Sequence, residues 1–148
     1  MLRSLHIKNF QVHTDLKIEF SPTITSIKGP TDSGKSSVLR ALRWVCLNDM
    51  AGEAFIREGA CSVLALLRIG DRKIGRGKGQ IGNVYRLDDR EFKAFGQGNV
   101  PQEIAQVLQL NEINFQGQHD APFWFAETAG EVSISSRSPK IDCEEAFK

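Results

Sequence analysis

Gly29-Pro-Thr-Asp-Ser-Gly34-Lys35-Ser36 is the stretch of this 148-residue sequence whose residue types and spacing most plainly carry chemistry. It fits the pattern G-x-x-x-x-G-K-[ST]. Gly29 and Gly34 permit backbone angles and a close approach that a side chain would block. The run from Gly29 through Pro30, Thr31, Asp32, Ser33, Gly34, Lys35 and Ser36 to Ser37 is therefore a candidate phosphate cradle. Its N–H groups can converge on phosphate oxygens, and the positive end of a following helix adds to them. Lys35 brings a charge to the β and γ phosphates, and the Ser36 hydroxyl can ligate magnesium. Asp32 is a carboxylate inside an anion-binding loop, so it must point away from the phosphates or weaken their binding.

Coincidence is the alternative. With glycine at about 7% of residues, a chance match is expected roughly once in two hundred such sequences. The motif also needs a strand before it and a helix after it, and both are foreshadowed. Thr23-Ile-Thr-Ser-Ile27 is β-branched and predicts a strand leading directly into the loop. Val38, Leu42 and Val45 recur at helical spacing, with Leu39 and Cys46 beside them, which predicts a helix from Lys35 to Leu47.

Two further strands precede these. Leu2, Leu5 and Ile7, then Leu16, Ile18 and Phe20, alternate with polar residues as half-buried strands do. The middle of the chain predicts short strands at 61–69, 72–77, 81–87 and 91–95. They are separated by Gly70-Asp71, a Gly-Lys-Gly stretch and Asp88-Asp89. Consecutive short strands with tight turns imply antiparallel pairing there. Pro101 suits a first helical turn, and Ile104, Val107, Leu108 and Leu110 predict a short amphipathic helix. The cluster Phe123-Trp-Phe125 suits core more than function, although it also suits a surface awaiting a partner. A polar tail follows over 131–148.

Composition narrows the classes. Hydrophobic residues at 41% suit a modest core, and a net charge of +1 favours neither nucleic acid nor membrane as a partner of the whole chain. No run approaches the roughly 18 apolar residues of a spanning helix, and the N-terminus has no signal-peptide core. Cys46, Cys61 and Cys143 are odd in number and widely spaced, so reduced thiols in the cytoplasm are expected. His6, His13 and His119 have no metal-ligand spacing and read as core or solvated histidines. Arg68, Arg72, Lys73, Arg76 and Lys78 make the hairpin region locally basic. They suit either DNA-backbone contact or a solvated sheet edge, and the absence of interleaved aromatics favours the edge.

Several of these segments together resemble one family. A strand ending Ile7-Lys-Asn-Phe10, a short hairpin strand, and Ile27-Lys-Gly-Pro with Ser33-Gly-Lys-Ser-Ser37 are similar to the SMC-like DNA-repair ATPases. That P-loop NTPase family includes the SbcC-type exonuclease subunits and their phage relatives. Ala41-Leu-Arg-Trp44 and Ile56-Arg-Glu-Gly59 look like the segments that follow the P-loop there, and the likeness covers residues 1–130. It implies an α/β fold: the N-terminal lobe of an ABC/SMC-type head, with a mixed sheet and an antiparallel hairpin subdomain. It implies ATP with Mg2+ as the ligand. Asn114-Phe-Gln116-Gly-Gln118 resembles the family's Q-loop, whose glutamine completes the magnesium shell and senses the γ phosphate. By position that role falls on Gln116, which would share catalysis with Lys35 and metal ligation with Ser36.

The departures are informative. Gln11 stands where relatives often carry a basic residue, and Thr31-Asp32 where Asn-Gly is usual. The family's heads are assembled from both ends of a long polypeptide joined by a coiled coil. Walker B, the signature motif and the water-positioning histidine belong to the C-terminal half. Leu87-Asp88-Asp89 reads as a hairpin turn rather than a Walker B strand, and no Leu-Ser-Gly-Gly occurs. The expectation is an N-terminal half-head, from a split, truncated or frame-shifted gene. Its partner would be the C-terminal half of a head or a full-length relative, with a nuclease subunit beyond. The competing readings are a small P-loop kinase, which needs parallel βα units after the loop, and a non-catalytic interaction module or remnant.

Overall fold

The computed structural model describes residues 1–111 and 114–116, in two units, Met1–Leu110 and Asn111–Lys148. In the first unit, alternation governs the opening strand. Leu5 and Ile7 are buried on one face of β1 (Leu2–Phe10), while Lys8 is exposed on the other. Asn9 lies at φ 55, and the next residue, Phe10, is buried as well. The strand β2 (His13–Glu19) folds back on β1 with Phe10 opposite His13 and Ile7 opposite Leu16.

On the other side of β1 lies β3 (Ser62–Ile69), followed by β4 (Arg72–Gly79), β5 (Val84–Leu87) and β6 (Arg90–Lys93). The sheet order is β2-β1-β3-β4-β5-β6, and every pairing is antiparallel. The turns fall at Gly70-Asp71 and Asp88-Asp89, as their residue types predict. Asp88 lies at φ 52 and accepts the Lys73 amide hydrogen bond at 2.8 Å; its other oxygen is 2.6 Å from Arg72 Nε. The Lys73 amide first, and Arg72 beside it, hold the Asp88 carboxyl below its ordinary value.

Three expectations are corrected. The segment 23–27 joins no ladder among the described residues; Ile24 is 82% exposed and Ile27 36%. Its β-branched residues favour extended backbone, but a strand also needs a neighbour to take its N–H and C=O groups. The sheet is consequently antiparallel throughout rather than mixed. Second, β4 runs on through Lys78 and Gly79, which pair with Val63 and Ser62, so Ile81 falls in the turn before β5. Third, the five basic residues form neither an exposed set nor an edge. The strands β3 and β4 are interior, and Arg76 is 1% exposed. Lys78 donates to the Gly52 carbonyl and lies 5.6 Å from the Phe55 ring centroid.

The helix α1 (Lys35–Leu47) has its predicted bounds and buries Val38, Ala41, Trp44 and Val45. It packs against β1, β3 and β4, with the Trp44, Phe55 and Phe10 rings clustered 4.9–5.9 Å apart. The helix ends at Asn48, at φ 52, whose amide donates to the Trp44 carbonyl. No basic residue lies in its last turn, so the sheet supplies the charge that the negative helix end favours.

That charge is Arg76, which lies between the Trp44 and Tyr85 rings, 4.8 and 4.6 Å from their centroids. It donates to Asn48 Oδ1 (2.9 Å), Asn83 Oδ1 (2.7 Å) and the carbonyls of Gly77 (2.7 Å) and Val84 (3.1 Å). Burial lowers the Arg76 pKa, with Tyr85 opposing, yet a guanidinium stays charged. The Tyr85 hydroxyl donates to the α1 carbonyls of Val45 (3.0 Å) and Trp44 (3.3 Å). The Asn48 amide group, in turn, donates to the carbonyls of Gly96 and Asn99.

Burial first, and Asp49 after it, push the Cys46 thiol up to about 12, whereas Cys61 is exposed. Iodoacetamide is therefore expected to modify Cys61 in the folded chain and Cys46 only after denaturation, as read by peptide mass mapping. Modification of Cys46 before Cys61 would contradict the packing of α1.

The helix α2 (Gln102–Leu108) buries Ile104 and Leu108. Pro101 is its N-cap rather than its first helical residue, and Leu110 lies beyond its end. No helix among the described residues is long and apolar enough to cross a membrane.

Candidate functional site

The candidate cradle turns on Gly34, the N-cap of α1, at φ 87. That angle is left-handed, and a Cβ there would meet His13 Nε2 at 2.5 Å and Val12 Cγ2 at 2.6 Å. Glycine is required on both counts. No side chain caps the first turn of α1, and no acidic residue lies in it, so its N–H groups and positive end serve the loop. The Lys35 ammonium folds back over the loop and donates to the carbonyls of Gly29 (2.9 Å) and Pro30, with Ser33 Oγ at 3.5 Å. The charge is thus held over the loop.

Beside the loop is a cleft of about 590 Å³. Asp32, Gly34, Lys35, Ser36 and Ser37 belong to its lining; Gln11, Val12, Arg40, Arg57 and Glu58 also contribute. Ser36 is exposed and Ser37 buried, so of the two hydroxyl residues Ser36 has the open position. Asp32 is exposed at φ 61 and belongs to the cleft lining, so its carboxylate is not sequestered from it. Gly29 and Pro30, with Thr31, are exposed in the approach to the helix.

Residues that sequence spacing did not single out complete this region. Arg57 donates to the Val12 carbonyl at 2.7 Å, and the Gln11 amide donates to the Phe55 carbonyl at 2.8 Å. Arg40 Nη1 reaches Gln11 Oε1 at 3.4 Å. His13, the first residue of β2, has Nε2 3.0 Å from the Gly34 carbonyl oxygen. Arg57 lies within the Ile56-Arg-Glu-Gly59 stretch that carried the family likeness. His13 had no such signal, because only folding of the hairpin brings it to the loop.

Gln116 belongs to the second unit and is exposed there, just after a turn in which Asn111 and Asn114 bond each other's backbone and side chain. Gln118, His119, the 123–125 aromatics, the polar tail and Cys143 lie outside the described residues.

The AAA domain profile AAA_23 matches residues 4–120. Over 133 residues the chain is 32% identical to the DNA repair protein RecN of Vibrio cholerae, covering 80% of this chain and 24% of RecN. A 42-residue stretch is 50% identical to the DNA double-strand break repair Rad50 ATPase of Archaeoglobus fulgidus, covering 28% of this chain and 5% of that protein. The chain thus spans about a quarter or less of these curated relatives. A solved structure from work on ATP-driven dimerization and DNA stimulated activation of SMC ATPases shares the fold with a TM-score of 0.62. It is 17% identical over 90% of this chain and 95% of that one. The recombination mediator RecF bound to ATP gives a TM-score of 0.54 at 23% identity, over 63% of this chain and 28% of RecF. With a glycine-bent loop feeding an uncapped helix and a profile matching most of its length, the chain belongs to the AAA domain family, as an N-terminal segment related to the P-loop ATPase heads of RecN, Rad50 and SMC proteins.

Proposed function

We propose that this chain binds ATP with magnesium as the N-terminal half of an SMC-like ATPase head acting in DNA double-strand-break repair or recombination, and that hydrolysis requires a C-terminal half. The observation that carries the reading is the loop itself: Gly34 at φ 87, the open first turn of α1, and Lys35 held over the loop carbonyls. In this reading Lys35 contacts the β and γ phosphates, the N–H groups of the loop up to Ser36 hold their oxygens, and Ser36 ligates magnesium, with Gln116 assigned to that shell by the family resemblance alone. The residues fit the group: a cleft of about 590 Å³ adjoins the loop, and the three cations of its lining, Lys35, Arg40 and Arg57, outnumber its two carboxylates, Asp32 and Glu58. When bound, magnesium offsets phosphate charge.

The need for a second half is supported by the exposed segment at Ile24 and Ile27, which lacks a neighbouring strand among the described residues and precedes the loop directly. It offers backbone groups to a complementary strand. A partner carrying that strand would give the segment the neighbour it lacks and also bring the acidic residue that phosphoryl transfer needs. The small-kinase alternative gains no support, because the sheet after α1 is built from antiparallel hairpins.

The test is calorimetric ATP binding and phosphate release by the purified chain beside Lys35→Ala, with Mg2+, with and without DNA. Binding is expected to weaken roughly 10- to 100-fold in the variant, the worth of about 1.5–3 kcal/mol of charge-assisted hydrogen bonding. Turnover is expected only when a C-terminal half is added. Equal binding by both chains would overturn the phosphate site; turnover by this chain alone, lost in the variant, would overturn the need for a second half.

A further inference from the structure

Three donors converge on one carbonyl in this structure, and one of them comes from another element. The Gly34 oxygen accepts from the Ser37 amide at 3.0 Å and the Val38 amide at 3.3 Å, which start α1. It also lies 3.0 Å from His13 Nε2. A carbonyl oxygen only accepts, so Nε2 must carry the hydrogen, which assigns the tautomer of the neutral ring. The ring also fills the place of the missing Gly34 side chain, with Nε2 and Cε1 at 2.5 and 2.7 Å from where a Cβ would stand.

From this geometry we infer that His13 is a positioning residue for the nucleotide's phosphates, acting through the Gly34–Lys35 peptide; the ligand side of this inference rests on the function proposed above. A trans peptide is planar, with its C=O and N–H pointing in opposite directions. Fixing the Gly34 oxygen against His13 therefore aims the Lys35 N–H the opposite way. His13 is itself well anchored. The hairpin tip before it is tied down by Arg57 on the Val12 carbonyl, the Gln11 amide on the Phe55 carbonyl, and the pairing of His13 with Phe10. The hairpin thus sets a donor of the loop.

His13→Leu removes the donor while keeping bulk, and His13→Gln restores an N–H at similar reach. The readouts are ATP affinity by calorimetry, hydrogen exchange at residues 35–38 in the nucleotide-free chain, and the urea midpoint. His13→Leu is expected to weaken ATP roughly fivefold, the worth of about one neutral hydrogen bond. It should also speed exchange at Ser37 and Val38 by a similar factor, and His13→Gln should return both to within about twofold. A lower urea midpoint with unchanged exchange at 35–38 would make His13 merely structural and overturn the inference. So would exchange and affinity in His13→Leu equal to those of the unaltered chain. If the unaltered chain binds no ATP, the proposed function fails, while the exchange comparison still decides whether His13 fixes the loop.

Discussion

Arg76→Ala is expected to destabilise the chain by about 3–5 kcal/mol in urea denaturation. The change leaves the Asn48 and Asn83 side-chain oxygens and the Gly77 and Val84 carbonyls without their charged donor. A buried acceptor stripped of its partner costs about 1–3 kcal/mol, and such costs within one network are not additive. The truncation also opens a gap between Trp44 and Tyr85, the surroundings of a fully buried side chain. Arg76→Met separates the two contributions. Methionine fills much of the gap but donates nothing, so a loss of about 2–3 kcal/mol is expected to persist. If Arg76→Ala unfolds within about 1 kcal/mol of the unaltered chain, the network does not hold α1 to the sheet.

Gly34→Ala is expected to weaken ATP binding on the order of 100-fold, more than Lys35→Ala at the lower end of its range. Two costs act at one atom. Left-handed backbone costs an ordinary residue about 1–2 kcal/mol. A methyl group at this position would also stand 2.5–2.7 Å from atoms of His13 and Val12, so the hairpin tip must move or the loop must unbend. Overpacking of that kind costs about 1–3 kcal/mol. Together they amount to roughly 3 kcal/mol, about two factors of ten in affinity if the loop gives way. The check is calorimetry on Gly34→Ala alone and combined with His13→Ala. Measured against His13→Ala alone, which has itself lost the bond to the Gly34 carbonyl, the double variant relieves the ring contact but neither the Val12 contact nor the backbone angle, so only part of the affinity should return. Full return would assign the whole effect to crowding, and unaltered binding in Gly34→Ala would contradict the loop geometry.

What the sequence discloses here depends on how local the cause is. The bounds of α1 follow from apolar spacing after a glycine, and the turns at Gly70-Asp71 and Asp88-Asp89 from residue type, so both were legible. The bend at Gly34 and the helix start at Lys35 were legible for the same reason: the pattern that calls for them lies in consecutive residues. Arg76 was misread because a lone arginine in a run of Lys, Arg and Gly looks solvated. Its burial depends on Trp44, Asn48, Asn83 and Tyr85, which meet it only through the fold. His13 was missed on the same ground, and the strand at 23–27 was overread because pairing needs a neighbour that propensity cannot supply. The role of Gln116 stays with the family resemblance, since its own residue type is equally at home in a turn.

The two fastenings of α1 have a mechanical consequence. Thirteen residues at 1.5 Å rise make a rod about 20 Å long. One end is pinned to the β1–β2 hairpin through Gly34 and His13, the other to the β4–β5 region through Asn48, Arg76 and Tyr85. A rod fixed at both ends cannot swivel or tilt to absorb a push; it can only pass it along its axis. Whatever displaces the loop end by a fraction of an ångström is therefore felt at the far hairpins of the sheet, and a load applied there is returned to the loop.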